Sequence, residues 1–192
     1  MTRAARAADG ARFVVRRRSR FGAFALVWGE GPRSVLVHRV LLPGSDLDEV
    51  IAARFPAARR VSTAAVGRLA DGIAAFLDGE PVRFALGLVN LAGCSDFQRS
   101  VLRAEHAIPR GWVSTYGAIA IHVGAARGAR AVGRALATNP FPIVVPCHRA
   151  LACGGRLGGY QGGLAMKRAL LEAEGAVFDA RGRIVGPRFF YR

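Results

Sequence analysis

One cysteine in an unusual setting is the clearest sign of chemistry in this chain. The apolar run Ile143–Val145 leads through Pro146 to Cys147, and His148 and Arg149 follow directly. A thiol is a weak nucleophile until it ionises, and basic or positively charged neighbours lower its pKa. The spacing therefore predicts a nucleophilic cysteine whose pKa is lowered by the imidazole and guanidinium beside it.

Whether the imidazole serves the thiol depends on the local backbone. On an extended chain adjacent side chains point to opposite sides, so Cys147 and His148 meet only if the chain turns there or if a water links them. Pro146 favours such a turn. His148 could equally be a ring satisfied inside the core, and Glu174 could orient that ring or be an ordinary acid at the end of a helix. Spacing leaves these alternatives open.

Composition indicates a folded protein with a polyanionic partner. The 192 residues are 52% hydrophobic and carry a formal net charge of +15. Residues 1–96 hold 14 basic and 9 acidic side chains, whereas residues 97–192 hold 14 basic and 4 acidic ones. An Arg-rich composition throughout the chain is the plain alternative, but it does not explain why the acids become scarce in the second half. The charge favours binding to nucleic acid, because Arg and Lys displace phosphate counterions.

The cysteine count and the hydropathy narrow the class of protein. Three cysteines without a CxxC pair predict no disulfide framework, no metal site and a reducing compartment, for which we expect the cytoplasm. No stretch reaches the roughly 20 apolar residues that span a bilayer, so we expect no membrane partner. The Arg- and Ala-rich first residues lack the apolar segment of a secretory signal and predict a short basic tail.

Apolar periodicity and turn residues predict an α+β fold. We expect strands near residues 13–15, 24–28 and 35–37, helices over about 46–55 and 62–77, and a short strand and linker over 82–96. The second half predicts helices over 97–108, 115–124, 125–138 and 164–174, then a loosely held basic tail over 176–192. The second and third of these helices resemble a helix-turn-helix.

Two segments of the second half have more than one interpretation. The helix over 125–138 carries small residues and three arginines, which suits close approach to phosphates or bases, but an Ala-rich packing helix would look similar. The Gly-rich segment over 154–163 could be a mobile loop, or the wall of a pocket beside the cysteine.

Residues 96–175 resemble the O6-alkylguanine-DNA alkyltransferases, also called methylated-DNA–protein-cysteine methyltransferases. The resemblance rests on four segments: Arg130-Ala131-Val132-Gly133, Asn139-Pro140, the run from Ile143 to Arg149, and Gly159-Tyr160-Gln161-Gly162-Gly163 followed by Lys167. It implies a small RNase H-like strand-plus-helix domain over residues 1–90. A mostly helical domain with a helix-turn-helix, which binds DNA and accepts the alkyl group, would follow over residues 91–192. It also implies a monomer without a cofactor.

The resemblance assigns a role to each matching residue. Cys147 is the expected alkyl acceptor, His148 the base that takes the thiol proton through a water, and Glu174 the acid that holds the imidazole. Asn139 is expected to brace the turn before the cysteine, and Tyr116 to rotate the target phosphate and protonate the departing guanine. Arg130 is the expected finger that replaces the extruded base. Further DNA contacts are expected from Ala129, Gly133 and Arg134, and the expected substrate pocket comprises Val145, Pro146, Arg149, Tyr160, Gln161 and Lys167.

The activity so implied is single-turnover methylated-DNA–[protein]-cysteine S-methyltransfer. O6-alkylguanine in double-stranded DNA is flipped through a minor-groove contact and loses its alkyl group to the cysteine, and O4-alkylthymine is a further candidate lesion. Gln161 stands where many members have Ser, and Ala150 where Val is usual, which affects the expected alkyl-size range.

Three alternative functions make different predictions. A non-catalytic lesion-binding protein of the alkyltransferase-like type would lack the acceptor cysteine, which this chain has. A Cys-His hydrolase would turn over an ester or amide, and a transcription factor would need polar base-reading side chains on the recognition helix.

Overall fold

The structure is a computed structural model that describes residues 12–32, 34–44 and 46–191. It is a mixed α+β fold. Its strands are β1 (Phe13–Ser19), β2 (Gly22–Glu30), β3 (Val35–Leu41), β4 (Arg59–Arg60), β5 (Ser114–Thr115), β6 (Ala150–Leu151), β7 (Val177–Phe178) and β8 (Ile184–Val185). Its α-helices are α1 (Leu47–Arg54), α2 (Ala64–Leu77), α3 (Asp96–Ala107), α4 (Tyr116–His122), α5 (Ala129–Ala137) and α6 (Gly163–Ala173). Residues 1–11 of the predicted basic tail lie outside the described residues.

A four-stranded sheet in the order β3-β2-β1-β4 carries apolar residues on both faces. Strands β1, β2 and β3 pair antiparallel, and the short β4 pairs parallel with β1. Side chains alternate along a strand, so Phe24 and Leu26 of β2 enter one core while Ala25 and Val27 enter a second core beside α1. The sheet is therefore covered on both sides.

The larger core continues from the sheet to the cysteine segment. Helix α2 places its predicted apolar face in this core, and the same cluster contains Leu102 of α3, Ile119 of α4, Val132 of α5 and Cys147. The amide of Val40 in β3 also donates to the Pro140 carbonyl at 2.8 Å. The first half of the chain thus packs directly against the segment that holds the cysteine.

Hydroxyl side chains fix where the helices around the cysteine begin. Ser95 Oγ accepts from the Gln98 amide at 3.2 Å at the start of α3, and Thr115 Oγ1 accepts from the Ala118 amide at 3.0 Å at the start of α4. Each satisfies a backbone donor that the first turn of a helix leaves free. None of the helices in the described ranges is long and apolar enough to cross a membrane.

Three predicted elements differ from the structure. Residues 82–96 form two short 3₁₀ turns, Leu86–Leu88 and Leu91–Gly93, in place of the expected strand. Val89, which lies between the two turns, forms an isolated bridge with Val37 of β3. Helix α5 begins at Ala129 instead of residue 125, because the chain first closes a tight turn in which the Gly128 amide donates to the Ala125 carbonyl at 2.6 Å.

The third difference is the C-terminal segment, which is anchored and not loosely held. Strands β7 and β8 form a hairpin, and a bridge joins Val113 to Phe189. The Tyr191 ring stacks on His122 with 4.0 Å between ring centroids, and its hydroxyl donates to the Ala104 carbonyl at 3.0 Å. A tyrosine on a basic segment gives no periodic signal, so only the folded chain shows this attachment.

We expect Tyr191→Ala to lower the free energy of unfolding by about 1–3 kcal/mol, because it removes the ring stack and the hydrogen bond to α3. Urea unfolding followed by circular dichroism measures this change. Val185→Ala is the control, since Val185 is an exposed side chain of the same segment. Equal, negligible effects of the two substitutions would show that residue 191 holds nothing in place.

Candidate active site

The segment before Cys147 is a compact turn. The Val145 amide donates to the Phe141 carbonyl at 2.8 Å, and Cys147–Arg149 form one turn of 3₁₀ helix. Ile143 is buried with a φ of +75°, a conformation that a β-branched residue adopts at a cost of about 1–3 kcal/mol. The surrounding core must therefore hold this turn, and the chain bends at Pro146 as the sequence predicts.

Asn139 ties the end of α5 to this turn. The side chain is buried, its Oδ1 accepts from the Phe141 amide at 2.9 Å, and its Nδ2 donates to the Val145 carbonyl at 3.1 Å. Nδ2 also lies 3.2 Å from Cys147 Sγ. One amide group thus fixes the shape of the turn and contacts the sulfur.

The prediction of a lowered thiol pKa is wrong for this conformation. Burial raises the pKa of Cys147 to about 12, and the hydrogen bond from Asn139 only partly offsets this. The side chain is 4% exposed. The two basic neighbours do not help because the 3₁₀ turn points both toward Glu174. His148 and Arg149 therefore follow Cys147 in sequence without placing positive charge beside its sulfur. The thiol is neutral at neutral pH.

Glu174 accepts hydrogen bonds from both residues that follow the cysteine. His148 Nε2 lies 3.0 Å from Glu174 Oε1, Arg149 Nη2 donates to the same oxygen at 2.6 Å, and Arg149 Nε donates to Oε2 at 2.9 Å. Burial by itself would raise the pKa of Glu174, but these two partners outweigh it and lower the pKa to about 2. Glu174 is therefore an ionised carboxylate. It is the partner of the His148 ring, a pairing that the sequence spacing left open.

This contact also sets the state of the imidazole. A carboxylate can only accept, so His148 Nε2 carries the proton and Nδ1 is left with a lone pair in the neutral ring. Burial lowers the pKa of His148 despite the attraction of Glu174, which favours that neutral form. Nδ1 has no hydrogen-bond partner among the described residues. The ring is therefore a base with a free acceptor nitrogen.

A cavity of about 410 Å³ opens beside the sulfur, within the range of about 300–1,000 Å³ typical of small-ligand pockets. Its lining comprises Tyr116, Gly133, Leu136, Ala137, Cys147, Gly159, Tyr160 and Gln161. The cavity therefore lies between α5 and the Gly-rich segment, which forms a wall of the pocket in this structure. Gln161 Nε2 joins that wall to the end of α5, because it donates to the Leu136 carbonyl at 3.4 Å and to the carbonyl of Asn139, two residues beyond the helix, at 2.9 Å.

Tyr116 reaches the same cavity from the start of α4. Its hydroxyl lies 3.4 Å from the Gly159 carbonyl, and burial raises its pKa to about 12. Gly158, with a φ of +68°, packs so closely on this ring that a Cβ there would lie 2.9 Å from it. The Tyr116 phenol is therefore protonated and packed against the pocket wall.

Four residues predicted for the substrate pocket lie outside this lining. The Val145 carbonyl is used by Asn139, and Arg149 faces Glu174 and the Ile108 carbonyl. Pro146 borders a different cavity between α2 and α3. Lys167 is buried, and its Nζ donates to the carbonyls of Ala150, Leu157 and Gly159. These side chains support the turn and the wall from behind.

Apart from Tyr116 on α4, the predicted DNA-binding residues lie on the outer side of α5. Arg130 and Arg134 are exposed, Ala129 and Gly133 are half-buried, and Gly133 also lines the cavity. A Cβ built on Gly133 meets nothing within 4 Å. This face of the helix is thus open up to the mouth of the pocket.

Two residues near the site were not singled out from the sequence. The Phe76 ring of α2 packs on His148 with 5.8 Å between the ring centroids. Because the two residues are far apart in the sequence, no local pattern predicts this contact. Glu105 is fully buried on α3. It lies on the same helix face as the apolar residues Val101 and Ile108. The sequence pattern alone could therefore have indicated a buried acid at this position.

Cys147, His148 and Glu174 lie in the part of the chain that matches a known family. Residues 96–176 match the family described as 6-O-methylguanine DNA methyltransferase, DNA binding domain. The methylated-DNA–protein-cysteine methyltransferase of Methanothermobacter thermautotrophicus is 43% identical over 61% of this chain and 65% of its own length. That of Salmonella typhimurium is 43% identical over 60% of this chain and 67% of its own length. The chain belongs to this methyltransferase family.

A solved structure extends the likeness beyond the matched region. The crystal structure of Mycobacterium tuberculosis OGT in complex with DNA has a TM-score of 0.67 and 34% identity, over 84% of this chain and 92% of that one. The sequence alignments are shorter: the chain spans 65% of the Methanothermobacter protein and 62% of the Mycobacterium bovis protein. The likeness of fold therefore extends into the first half of the chain.

We expect Glu174→Gln to lower the free energy of unfolding at neutral pH by about 3 kcal/mol, because Arg149 is left buried without its counter-charge. The pKa of Glu174 falls from an ordinary 4.5 to about 2 in the folded protein. Its contribution is thus present above pH 4.5 and is lost as the pH falls toward 2. Urea unfolding at several pH values should show the gap between the two proteins narrowing through that window.

Glu172→Gln provides the matched control, since Glu172 is a partly exposed acid two residues away that pairs with Arg168. We expect a small change that varies little across the same pH window. A gap between Glu174→Gln and the parent protein that stays constant down to about pH 2 would contradict the assigned carboxylate.

Proposed function

We propose that this protein repairs duplex DNA by moving an alkyl group from O6-alkylguanine to Cys147, once per molecule. The observation that carries the proposal is the placement of Cys147 in a cavity bounded by α5, with a carboxylate-held imidazole directly after it in the turn. Family membership supports the same chemistry, since the relatives are named methylated-DNA–protein-cysteine methyltransferases.

The transfer step follows from the state of each group. The neutral Cys147 thiol gives its proton to Nδ1 of His148 through a water, and Glu174 stabilises the imidazolium that forms. The sulfur attacks the alkyl carbon, the S–C bond forms as the C–O6 bond breaks, and the bonding electrons leave with guanine. The product is a thioether, which water does not cleave, so the protein is consumed in the reaction.

The departing guanine needs a proton in return. Tyr116 keeps its phenolic proton because burial raises its pKa to about 12, and its hydroxyl is at the pocket wall. We assign to Tyr116 the role of donating this proton to the guanine anion, which thereby becomes neutral guanine. The phenolate that forms can recover a proton from water after the product has left.

A buried sulfur requires that the target base come to it. A base within the duplex hides its O6 substituent, and extruding it costs a few kcal/mol. We propose that α4 and α5 act as a helix-turn-helix in the minor groove. Its small residues Ala129 and Gly133 allow close approach, Arg130 takes the place of the extruded base, and Arg134 contacts phosphate. The open face beside Gly133 supports this placement.

We also propose that residues 1–90 form a supporting unit and residues 91–192 the DNA-binding and alkyl-acceptor unit. The family match at residues 96–176 falls within the second, which supports the division. The sheet of antiparallel β1–β3 with a parallel β4 supports the RNase H-like assignment of the first. The monomeric state, the cytoplasmic location and reaction with O4-alkylthymine stay predictions.

Cys147→Ser is expected to abolish alkyl transfer while DNA binding stays within about 3-fold, because a hydroxyl is a much poorer nucleophile of similar size. Intact-protein mass spectrometry after incubation with an O6-methylguanine oligonucleotide detects the transferred methyl group. Cys153→Ser is the control: Cys153 is exposed and lies outside the lining of the cavity, so full transfer should persist. Methylation of the Cys147→Ser protein would refute the assignment of Cys147 as the alkyl acceptor.

Arg130→Ala should slow transfer from a duplex oligonucleotide by about 10-fold or more, because the extruded base is no longer replaced in the stack. Reaction with free O6-benzylguanine should change far less, since no base is extruded. Arg68→Ala removes the same charge from an exposed position on α2 and controls for overall electrostatic attraction. Equal slowing on both substrates would be incompatible with a finger role.

A further inference from the structure

Glu105 is a buried acid that the proposed mechanism does not use. It lies near the end of α3 with none of its surface exposed, and α3 packs against the turn that carries Cys147. Neither carboxyl oxygen makes a hydrogen bond of normal geometry with another described residue, although the Ala150 amide lies near enough to favour the charged form. Such a group calls for an explanation, because buried polar atoms are nearly always paired.

The neighbouring cations are committed elsewhere. Lys167 directs its three donors to the carbonyls of Ala150, Leu157 and Gly159. Arg149 is held by Glu174 and by the Ile108 carbonyl. An ionised Glu105 would therefore sit in the core with charges near it but without a direct partner. Burial accordingly raises the pKa of Glu105 to about 8, against the attraction of both cations.

The charge of Glu105 is felt by the groups that the reaction needs. Its ionised form raises the pKa of the Cys147 thiol and of the Tyr116 phenol. The titratable or charged side chains coupled to it come from four directions: Cys147 and Arg149 on the turn, Tyr116 on α4, Lys167 on α6 and Tyr191 at the C-terminus. A neutral Glu105 leaves the thiol free of this repulsion.

We propose that Glu105 is a positioning residue whose proton governs the acceptor: neutral Glu105 permits loss of the Cys147 proton, and charged Glu105 opposes it from behind the pocket. This inference rests on the proposed function, because it concerns the same sulfur. It makes alkyl transfer less responsive to rising pH than a thiol reaction ordinarily is. The proton involved leaves Glu105 for solvent and takes no part in the transfer itself.

The decisive measurement is the pH dependence of single-turnover transfer in Glu105→Gln and in the parent protein. Gln keeps the shape and stays neutral, so the ratio of the variant's rate to the parent's should rise by about 3- to 10-fold between about pH 6.5 and pH 9.5. Lys167, whose pKa burial lowers to about 8, titrates in the same range, and the variant lacks the Glu105 charge that raises this pKa. Lys167 therefore loses its charge at lower pH in the variant, which raises the pKa of the Cys147 thiol and opposes the expected rise. A rising ratio thus cannot come from Lys167 and reports Glu105.

A purely structural role predicts a different result. Looser packing would multiply the rate by the same factor at every pH, and a constant ratio would overturn the proposal. Glu172→Gln, which removes a partly exposed acid from α6, is the matched control and should give a flat ratio. A ratio for Glu172→Gln that rises like that of Glu105→Gln would also overturn the proposal, because it would trace the effect to overall charge.

Two further measurements separate this proposal from the proposed function. Carboxyl carbon NMR of the parent protein labelled in glutamate needs no variant: one carboxyl should titrate near pH 8, and titration of every glutamate below about pH 6 would overturn the proposal. Iodoacetamide labelling of Cys147, mapped by peptide mass spectrometry, needs no DNA and should show the same rising ratio. If the parent protein transfers no alkyl group, the proposed function fails, and these two measurements still decide the role of Glu105.

Discussion

The side chain of Asn139 is the contact on which the geometry of this site depends. Its amide oxygen and nitrogen close the turn from Phe141 to Val145, and the same nitrogen reaches Cys147 Sγ. The turn contains a buried Ile143 in a left-handed conformation, which local preferences would not maintain. Asn139 lies two residues beyond the end of α5, so only Thr138 separates that helix from the residue that contacts the sulfur.

Around this turn the protein separates charge from the nucleophile. Arg149 and His148 both point to Glu174, so the positive charge that follows the cysteine in sequence is neutralised away from it. The thiol is left neutral and buried, and the imidazole is left neutral with a free nitrogen. A neutral, buried thiol is protected from oxidation, which targets exposed thiolates. This protection is consistent with the proposed function, in which the acceptor is used once.

The first half of the chain contributes to the site without supplying a reacting group. The Phe76 ring of α2 packs on His148, the Val40 amide holds the Pro140 carbonyl, and the core of the sheet is continuous with the core beneath Cys147. These contacts bury the imidazole and thereby keep it neutral. Support of this kind needs apolar surface and a few backbone hydrogen bonds, which many different sequences can provide.

The sequence alone determined most of the local elements and indicated the residues to which we assign the reaction. Helix starts at Ser95 and Thr115, the strand alternation in β2 and the Cys-His pair after Pro146 are set by neighbours a few residues away, so they can be read along the chain. Contacts that join distant segments could not be read in this way. The pKa of Cys147, the pairing of Glu174, the anchoring of Tyr191 and the burial of Glu105 depend on which groups meet across the core and on how much water is removed. Burial reversed the expected direction for the thiol because the cost of desolvating a charge exceeds the pull of two basic neighbours that the fold turns away.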